Sequence, residues 1–222
     1  MPESDLDFDR LYAYRHRGVD QAKRQEVWDE IAPFLHGVMG RPERVLDPAA
    51  GRGEFIRAVP APERWVIDAV DYSDARYPSD VKVLIGDALT VELPDAYFDG
   101  ILVSNLLEHF ASQSEVGRFL SRMLVASAPG GHIAVLGPNF RYCAAEYFDC
   151  ADHTIPLTHV SAEEHLHTAG FEIVRVVPRF LPYSFRGTLP ASGALVRAYL
   201  RTPPAWRLLG KQFLVVGRRP RA

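Results

Sequence analysis

Apolar residues Val27, Ile31, Phe34 and Leu35 recur at helical spacing inside a charged stretch, which predicts a helix from about Tyr12 to Leu35 that Gly37, Gly40 and Pro42 bring to a stop. Beyond it, short apolar runs alternate with helical patterns. The runs Arg44 to Leu46, Trp65 to Val70, Val81 to Ile85, Phe98 to Val103 and His132 to Leu136 each end in Gly, Asp, Ser or Asn. Strands alternating with helices predict a parallel sheet with crossover helices. Val116, Phe119, Leu120, Met123 and Leu124 form a helical stripe that Pro129-Gly130-Gly131 stops, and Ala162 to Ala169 reads as a short helix ended by Gly170. Phe171 to Val177 and Gln212 to Val216 complete a set of seven strands. Two irregular stretches remain, Pro138 to Ser161 and Leu181 to Gly210. Loops of that length in one domain are usually functional or carry short helices.

The chain has 222 residues, 47% of them hydrophobic and 24% charged, enough for one domain with a sizeable core. The expected organisation is a single domain over 1–222, with a helical cap over 1–40 and a core over 41–222 that carries an insertion at about 181–210. Two cysteines, Cys143 and Cys150, indicate neither a disulfide framework nor a structural metal. The acidic, aromatic N-terminus is unlike a secretory signal, and no apolar run approaches 18 residues, so a cytoplasmic location is expected. Charge is uneven: from Ile173 to Ala222 there are nine Arg, one Lys and no Asp or Glu. A basic segment of this kind either pairs with the acidic first 172 residues along a solvated face or suits an anionic partner or an anionic membrane surface in peripheral contact.

Residues Val45 to Phe55 read VLDPAAGRGEF: a strand, an acid at its tip, then Gly51-Arg52-Gly53 turning into a helix. Glycine is required where the turn is tight and a ligand nears the backbone. The third glycine of a dinucleotide fingerprint is replaced by Ile56, and Asp47 stands before the loop. A carboxylate there suits a cationic ligand better than a pyrophosphate, which argues against a nicotinamide-dependent oxidoreductase. Asp71 follows the second strand in WVIDAVDYS, placed to accept from ribose hydroxyls. Asp87 follows the third in IGDAL.

The stretches VLDPAAGRGEF, AVDYSDA, GDALTVELPDAYFDGILVSNLLEHF and APGGHIAVLGPNFRY occur in the order and spacing of the class I S-adenosylmethionine-dependent methyltransferases, which the chain resembles from Val45 onward. The resemblance implies an α/β, Rossmann-like, seven-stranded, mostly parallel sheet with helices on both faces, an antiparallel last strand and an N-terminal cap. It implies S-adenosyl-L-methionine as cofactor. Carried over, it puts Asp47, Ala49, Gly51 and Gly53 around the methionine and ribose part, Asp71 and Tyr72 at the ribose, Asp87 and Ala88 at the adenine, and Asn105 with Leu106 behind the sulfonium. Pro48-Ala49-Ala50 stand where many members of the family have a small residue and Gly before the Gly-x-Gly.

Methyl transfer needs mainly a nucleophile held in line with the S–CH3 bond and shielded from water. A hydroxyl acceptor also needs a base, and Glu108, His109, Asp152, His153 and His159 lie in the segments after strands four and five. Of these, His153, with His109 and Asp152, is the expected catalytic set. A likeness to a bacterial subgroup in GPNFRYCAAEYFDCADHTIPLTHVSAEEHL implies an acceptor pocket shaped by Asn139, Arg141, Tyr142 and Tyr147, with Tyr183 and Arg186 entering from the insertion, and a cap around Tyr12 and Arg15 closing over the cofactor. No grouping of oxygen ligands stands out, so no metal is expected. The expected acceptor is a small molecule or an anionic conjugate, methylated at oxygen. Nucleic acid is disfavoured, since strand four ends VSNLLEHF and lacks an Asn/Asp-Pro-Pro-Tyr motif. The alternative is a non-catalytic cofactor-binding subunit or sensor.

Overall fold

The computed structural model describes residues 7–15, 17–69, 77–183 and 192–221. The expected N-terminal helix is two helices, α1 (Phe8–Arg15) and α2 (Gln21–Val38). They separate because Asp20 caps α2, its carboxylate accepting from Ala22 and Lys23 N–H groups at 3.0 and 3.2 Å, which fixes a helix start that periodicity alone does not see.

The core is a seven-stranded sheet of β1 (Arg44–Asp47), β2 (Glu63–Asp68), β3 (Val81–Ile85), β4 (Phe98–Ser104), β5 (Ser127–Pro138), β6 (Glu172–Val177) and β7 (Gln212–Arg218), in the order β3-β2-β1-β4-β5-β7-β6. Neighbours from β3 to β5 pair in parallel, and β7 runs antiparallel to both β5 and β6. The last strand is thus inverted, as expected. β2 stops at Asp68, short of Val70. β5 begins at Ser127 and runs through Pro129-Gly130-Gly131, the sequence expected only to end the preceding helix. Gly131 fits there because a Cβ would press on the Phe98 and Ala128 carbonyls at 2.9 Å.

Helices cover both faces. On one, Leu46, Ile101, Val103, Ile133, Val135 and Val215 pack with Phe119, Leu120 and Met123 of α4 (Gln113–Ala126) and with Ala162 and Leu166 of α6 (His159–Ala169). On the other, Val45, Leu102, Ala134, Leu136, Leu214 and Val216 pack with Ile31 and Leu35 of α2 and with Phe55 and Ile56 of α3 (Glu54–Ala58). Successive strand residues therefore serve opposite cores, which is why the central strands read as unbroken apolar runs. Each large aliphatic side chain removed from water contributes about 1.5–3 kcal/mol.

Both irregular stretches carry helix. α5 (Phe140–Tyr147) follows β5, and α7 (Gly193–Leu200) and α8 (Pro203–Leu209) precede β7. Trp206 of α8 joins Phe34 of α2 and Phe180, with ring centroids 5.1 to 5.9 Å apart. Among the described residues no helix is long and apolar enough to cross a membrane.

Gly100, at the centre of β4, packs directly on the Pro42 ring, and a Cβ would overlap it. Gly100→Ala should therefore destabilise the chain by about 1–3 kcal/mol through overpacking. An unchanged midpoint in denaturant would show that the Pro42 turn yields freely.

Candidate functional site

The carboxyl ends of β1, β2 and β4 meet on one edge of the sheet, where open α/β sheets place their ligands. Asp47, the last residue of β1, is 3% exposed and accepts from the Ala49 N–H at 3.2 Å. Burial pushes its carboxyl up to about 7. The loop then turns through Gly51 and Gly53, at φ 54° and 75°, left-handed conformations that glycine adopts at no cost. Gly53 caps α3. Ala49 and Ala50 belong to this turn, and the Ala50 N–H reaches the Ile67 carbonyl of β2 at 3.4 Å.

β2 ends at Asp68, which therefore stands at the strand tip beside the loop. Tyr77 Oη donates toward the Gly51 carbonyl at 3.1 Å and the Asp68 carboxylate at 3.2 Å, and its ring lies where a Cβ on Gly53 would be, 2.8 Å away. Asp71 and Tyr72 lie outside the described residues. Asp87 follows β3 and accepts from the Leu89 N–H at 2.8 Å; Ala88 beside it is buried. A cavity of about 840 Å³ runs from Asp87, Leu89 and Thr90 along α4. It touches the strand tips only at Asp87, so the glycine loop marks the chemistry better than the cavity does.

Asn105 follows β4 at φ 49°, an uncommon conformation for a residue with a side chain. Its N–H bonds the Leu136 carbonyl at 2.8 Å and its amide reaches Ser104 Oγ at 3.1 Å, while its buried Oδ1 has no partner among the described residues. A buried acceptor left this way is where a ligand donor fits. Leu106 next to it is half-buried.

Just beyond stand the candidate acid–base groups. Glu108 and His109 lie in a short 3₁₀ turn, Leu107–His109, and the chain after α5 comes back to them: Thr154 N–H donates to the Glu108 carbonyl at 2.9 Å. Asp152, 4% exposed, is gripped by both terminal nitrogens of Arg15 from α1. His109 Nδ1 is 3.0 Å from the Asp152 carbonyl and 3.4 Å from its carboxylate. Burial alone would raise the Asp152 carboxyl, but the Arg15 guanidinium, with His109, holds it below its ordinary value. His153, 9% exposed, stacks edge-on against His109 and Tyr147 at 4.9 and 4.8 Å. Burial lowers it to about 4, and its Nδ1 has no hydrogen-bond partner among the described residues. Glu108, 2% exposed, is raised by burial.

The expected acceptor residues divide. Asn139 is fully buried and caps α5; its amide bonds His159 Nδ1 at 2.9 Å and the Pro178 carbonyl at 2.8 Å. Tyr147 is fully buried, its hydroxyl donating to the Ile155 carbonyl at 2.9 Å and accepting from Leu157 N–H at 3.1 Å. Both polar ends are occupied internally, so these two brace the segment. His159 is held the same way through Asn139. Tyr183 Oη lies 3.4 Å from Cys150 Sγ, next to the histidines. Arg141 is exposed. Tyr142 lines a separate cavity of about 430 Å³ with Arg179, Trp206 and Arg207. Arg186 and the Tyr12 side chain lie outside the described residues. Asp68 and Tyr77 were missed in the sequence, although Asp68 directly follows the apolar run WVI, the signal that marks a strand tip.

Much of the basic C-terminal segment has local acidic or backbone partners. Arg197 pairs with Glu30, Lys211 with Glu146 and Arg218 with Glu172, and Arg179 and Arg219 donate to backbone carbonyls.

Residues 21–176 match a family model described as a methyltransferase domain. No curated protein matches the sequence. Among solved structures the chain is similar to a SAM dependent methyltransferase from Archaeoglobus fulgidus, 18% identical over 96% of this chain and 100% of that one, with a TM-score of 0.67. It is also similar to the N-methyltransferase NodS from Bradyrhizobium japonicum WM9, 17% identical over 97% and 99%, with a TM-score of 0.59. The cyclase SpnF is 19% identical over 87% of this chain and 81% of its own, with a TM-score of 0.62. With a family match over more than half its length, a glycine loop at the tip of β1 and an inverted last strand, this chain belongs to the methyltransferase domain family, the class I enzymes whose cofactor is S-adenosylmethionine.

Proposed function

We propose that this chain transfers the methyl group of S-adenosylmethionine to an oxygen of a small molecule or anionic conjugate. The observation that carries the reading is the adjacency of two sets on one sheet edge: the glycine loop with Asp47, Asp68 and the unpartnered Asn105 Oδ1, and the Glu108, His109, Asp152 and His153 cluster that directly follows Asn105. In this reading the first set holds the cofactor with its sulfonium toward the second. An acceptor oxygen attacks the methyl carbon, the C–S bond breaks with its electron pair going to sulfur, and the hydroxyl proton leaves toward the cluster, where His153 is neutral above about pH 4. Arg179 and Arg207 beside Tyr142 suit an anionic part of the acceptor.

Because the cyclase SpnF shares this fold, the test must follow the methyl group itself. Incubation with methyl-labelled S-adenosylmethionine and host extracts should give a labelled product and S-adenosylhomocysteine in equal amounts. Cofactor binding with no label transferred would favour the sensor reading.

Asp68→Ala should weaken S-adenosylmethionine binding by about 1–3 kcal/mol, the loss of hydrogen bonds from ribose hydroxyls to a charged acceptor. A loss in Asp71→Ala and none in Asp68→Ala, by calorimetry, would return that role to position 71.

Asp47 gives a pH dependence. Its folded value, about 7, lies above the ordinary carboxylate value, so the ligand-free chain holds a proton there that the unfolded chain has lost, and this contribution to stability disappears as pH rises from about 4 to 7. A cationic ligand prefers the ionised form. Affinity for S-adenosylmethionine should therefore fall as pH drops below 7, by up to about tenfold per unit, and Asp47→Asn should flatten the profile. An equally steep profile in that variant would acquit Asp47.

His153→Ala should cut turnover by about 10²–10⁴-fold while leaving cofactor affinity intact. Turnover that survives in His153→Ala and fails in His109→Ala would move the role to the neighbouring ring.

A further inference from the structure

The sequence argues against a metal because its acids and histidines are scattered, yet folding collects them. One donor atom from each of Glu108, His109 and His153 lies within 4.8 Å of the other two, and Cys150, Asp152 and His153 form a second such group sharing His153. Three features distinguish the first group from an ordinary buried polar cluster. Glu108 makes no salt bridge among the described residues although it is 2% exposed. His153 Nδ1, in a residue 9% exposed, has no hydrogen-bond partner among the described residues. His109 has its Nδ1 against the Asp152 carbonyl and carboxylate; a carbonyl can only accept, so the proton sits on Nδ1 and the lone pair on Nε2. Asp152 is in turn locked by Arg15. An imidazole whose second nitrogen is held by a carboxylate or carbonyl is the usual support of a metal ligand, and two histidines with one glutamate form a known set for a catalytic zinc ion that keeps one position open.

We propose that Glu108, His109 and His153 bind one divalent transition-metal ion of the zinc class, with Asp152 and Arg15 as the positioning pair behind His109. Ligand bonds of about 2.0–2.2 Å need the three donors to close by roughly an ångström, within the reach of side-chain rotation. The binding claim stands apart from the methyl-transfer reading; only the ion's role rests on that reading. In that role an ion held by Glu108, His109 and His153 would lower the pKa of the acceptor hydroxyl, so that its proton would be lost to solvent rather than to His153, and methyl transfer would otherwise proceed as above with sulfur taking the electron pair. His153 then works as a ligand, and the loss in His153→Ala is the loss of the ion.

The test is a titration of the purified, chelator-stripped chain with Zn²⁺ by calorimetry and with Co²⁺ by visible absorption, alongside S-adenosylmethionine calorimetry on the same sample. One equivalent should bind, with the Co²⁺ bands of a nitrogen–oxygen site. Glu108→Gln and His153→Ala should abolish it, Asp152→Asn should weaken it about 10–100-fold, and His165→Ala, in the middle of α6 where its ring meets Gln113, should leave it unchanged. Less than one equivalent in the wild type overturns the proposal, whether or not the variants fold. So does full binding in Glu108→Gln and His153→Ala. If S-adenosylmethionine binds to a chain that takes no metal, the site fails and the methyltransferase reading stands; metal uptake without cofactor binding gives the converse.

Discussion

The arrangement at the strand tips depends on the carboxylate of Asp152. It is almost wholly buried, and a buried anion is tolerated only when it is paired and hydrogen-bonded. Arg15 supplies the pairing from a helix at the start of the chain, and His109 approaches from the turn after β4. One carboxylate thus ties three segments distant in sequence and orients the His109 ring, against which His153 packs edge-on. A pair of this kind contributes little net stability once desolvation is counted. Its effect is to fix where the histidines stand.

How much of this the sequence discloses depends on range. The glycine loop is local: strand, acid, Gly-x-Gly and helix follow one another within a few residues, and each is required by backbone conformation at its own position. The parallel strands are legible for a related reason, since burial on both faces writes an apolar run directly into the chain. Ambiguity begins where two similar residues compete. In WVIDAVDYS both acids follow apolar residues; the β1–β2 register carries the second strand as far as Asp68, and Asp71 lies outside the described residues.

What the sequence hides is partnership over distance. Asn139 and Tyr147 have the composition of ligand-binding residues, but their partners, Pro178, His159, Ile155 and Leu157, are visible only in three dimensions. The acid-free C-terminal stretch reads either as a surface for anions or as a set of partners for the acidic part of the chain; in the fold three of its cations face Glu30, Glu146 and Glu172. Those pairs are largely exposed and of small energetic weight, though they do account for part of the charge asymmetry. Glu108, His109 and His153 are each legible as acid–base candidates, but their convergence is not, because they come from two segments brought together by Thr154 and the Asp152 tie.

The Phe34, Phe180 and Trp206 cluster bears on how far the chain can be trimmed. Its three rings come from the helix that leads into the sheet, from the segment leaving β6 and from the helix before β7. The part that looks like an optional cap and the part that looks like an optional insertion therefore share one hydrophobic core. Neither can be deleted to obtain a minimal catalytic domain, because removal of one strips the apolar cover from the other and from Leu214 and Val216 of the sheet beneath. In this chain the two segments are mutually dependent parts of the scaffold.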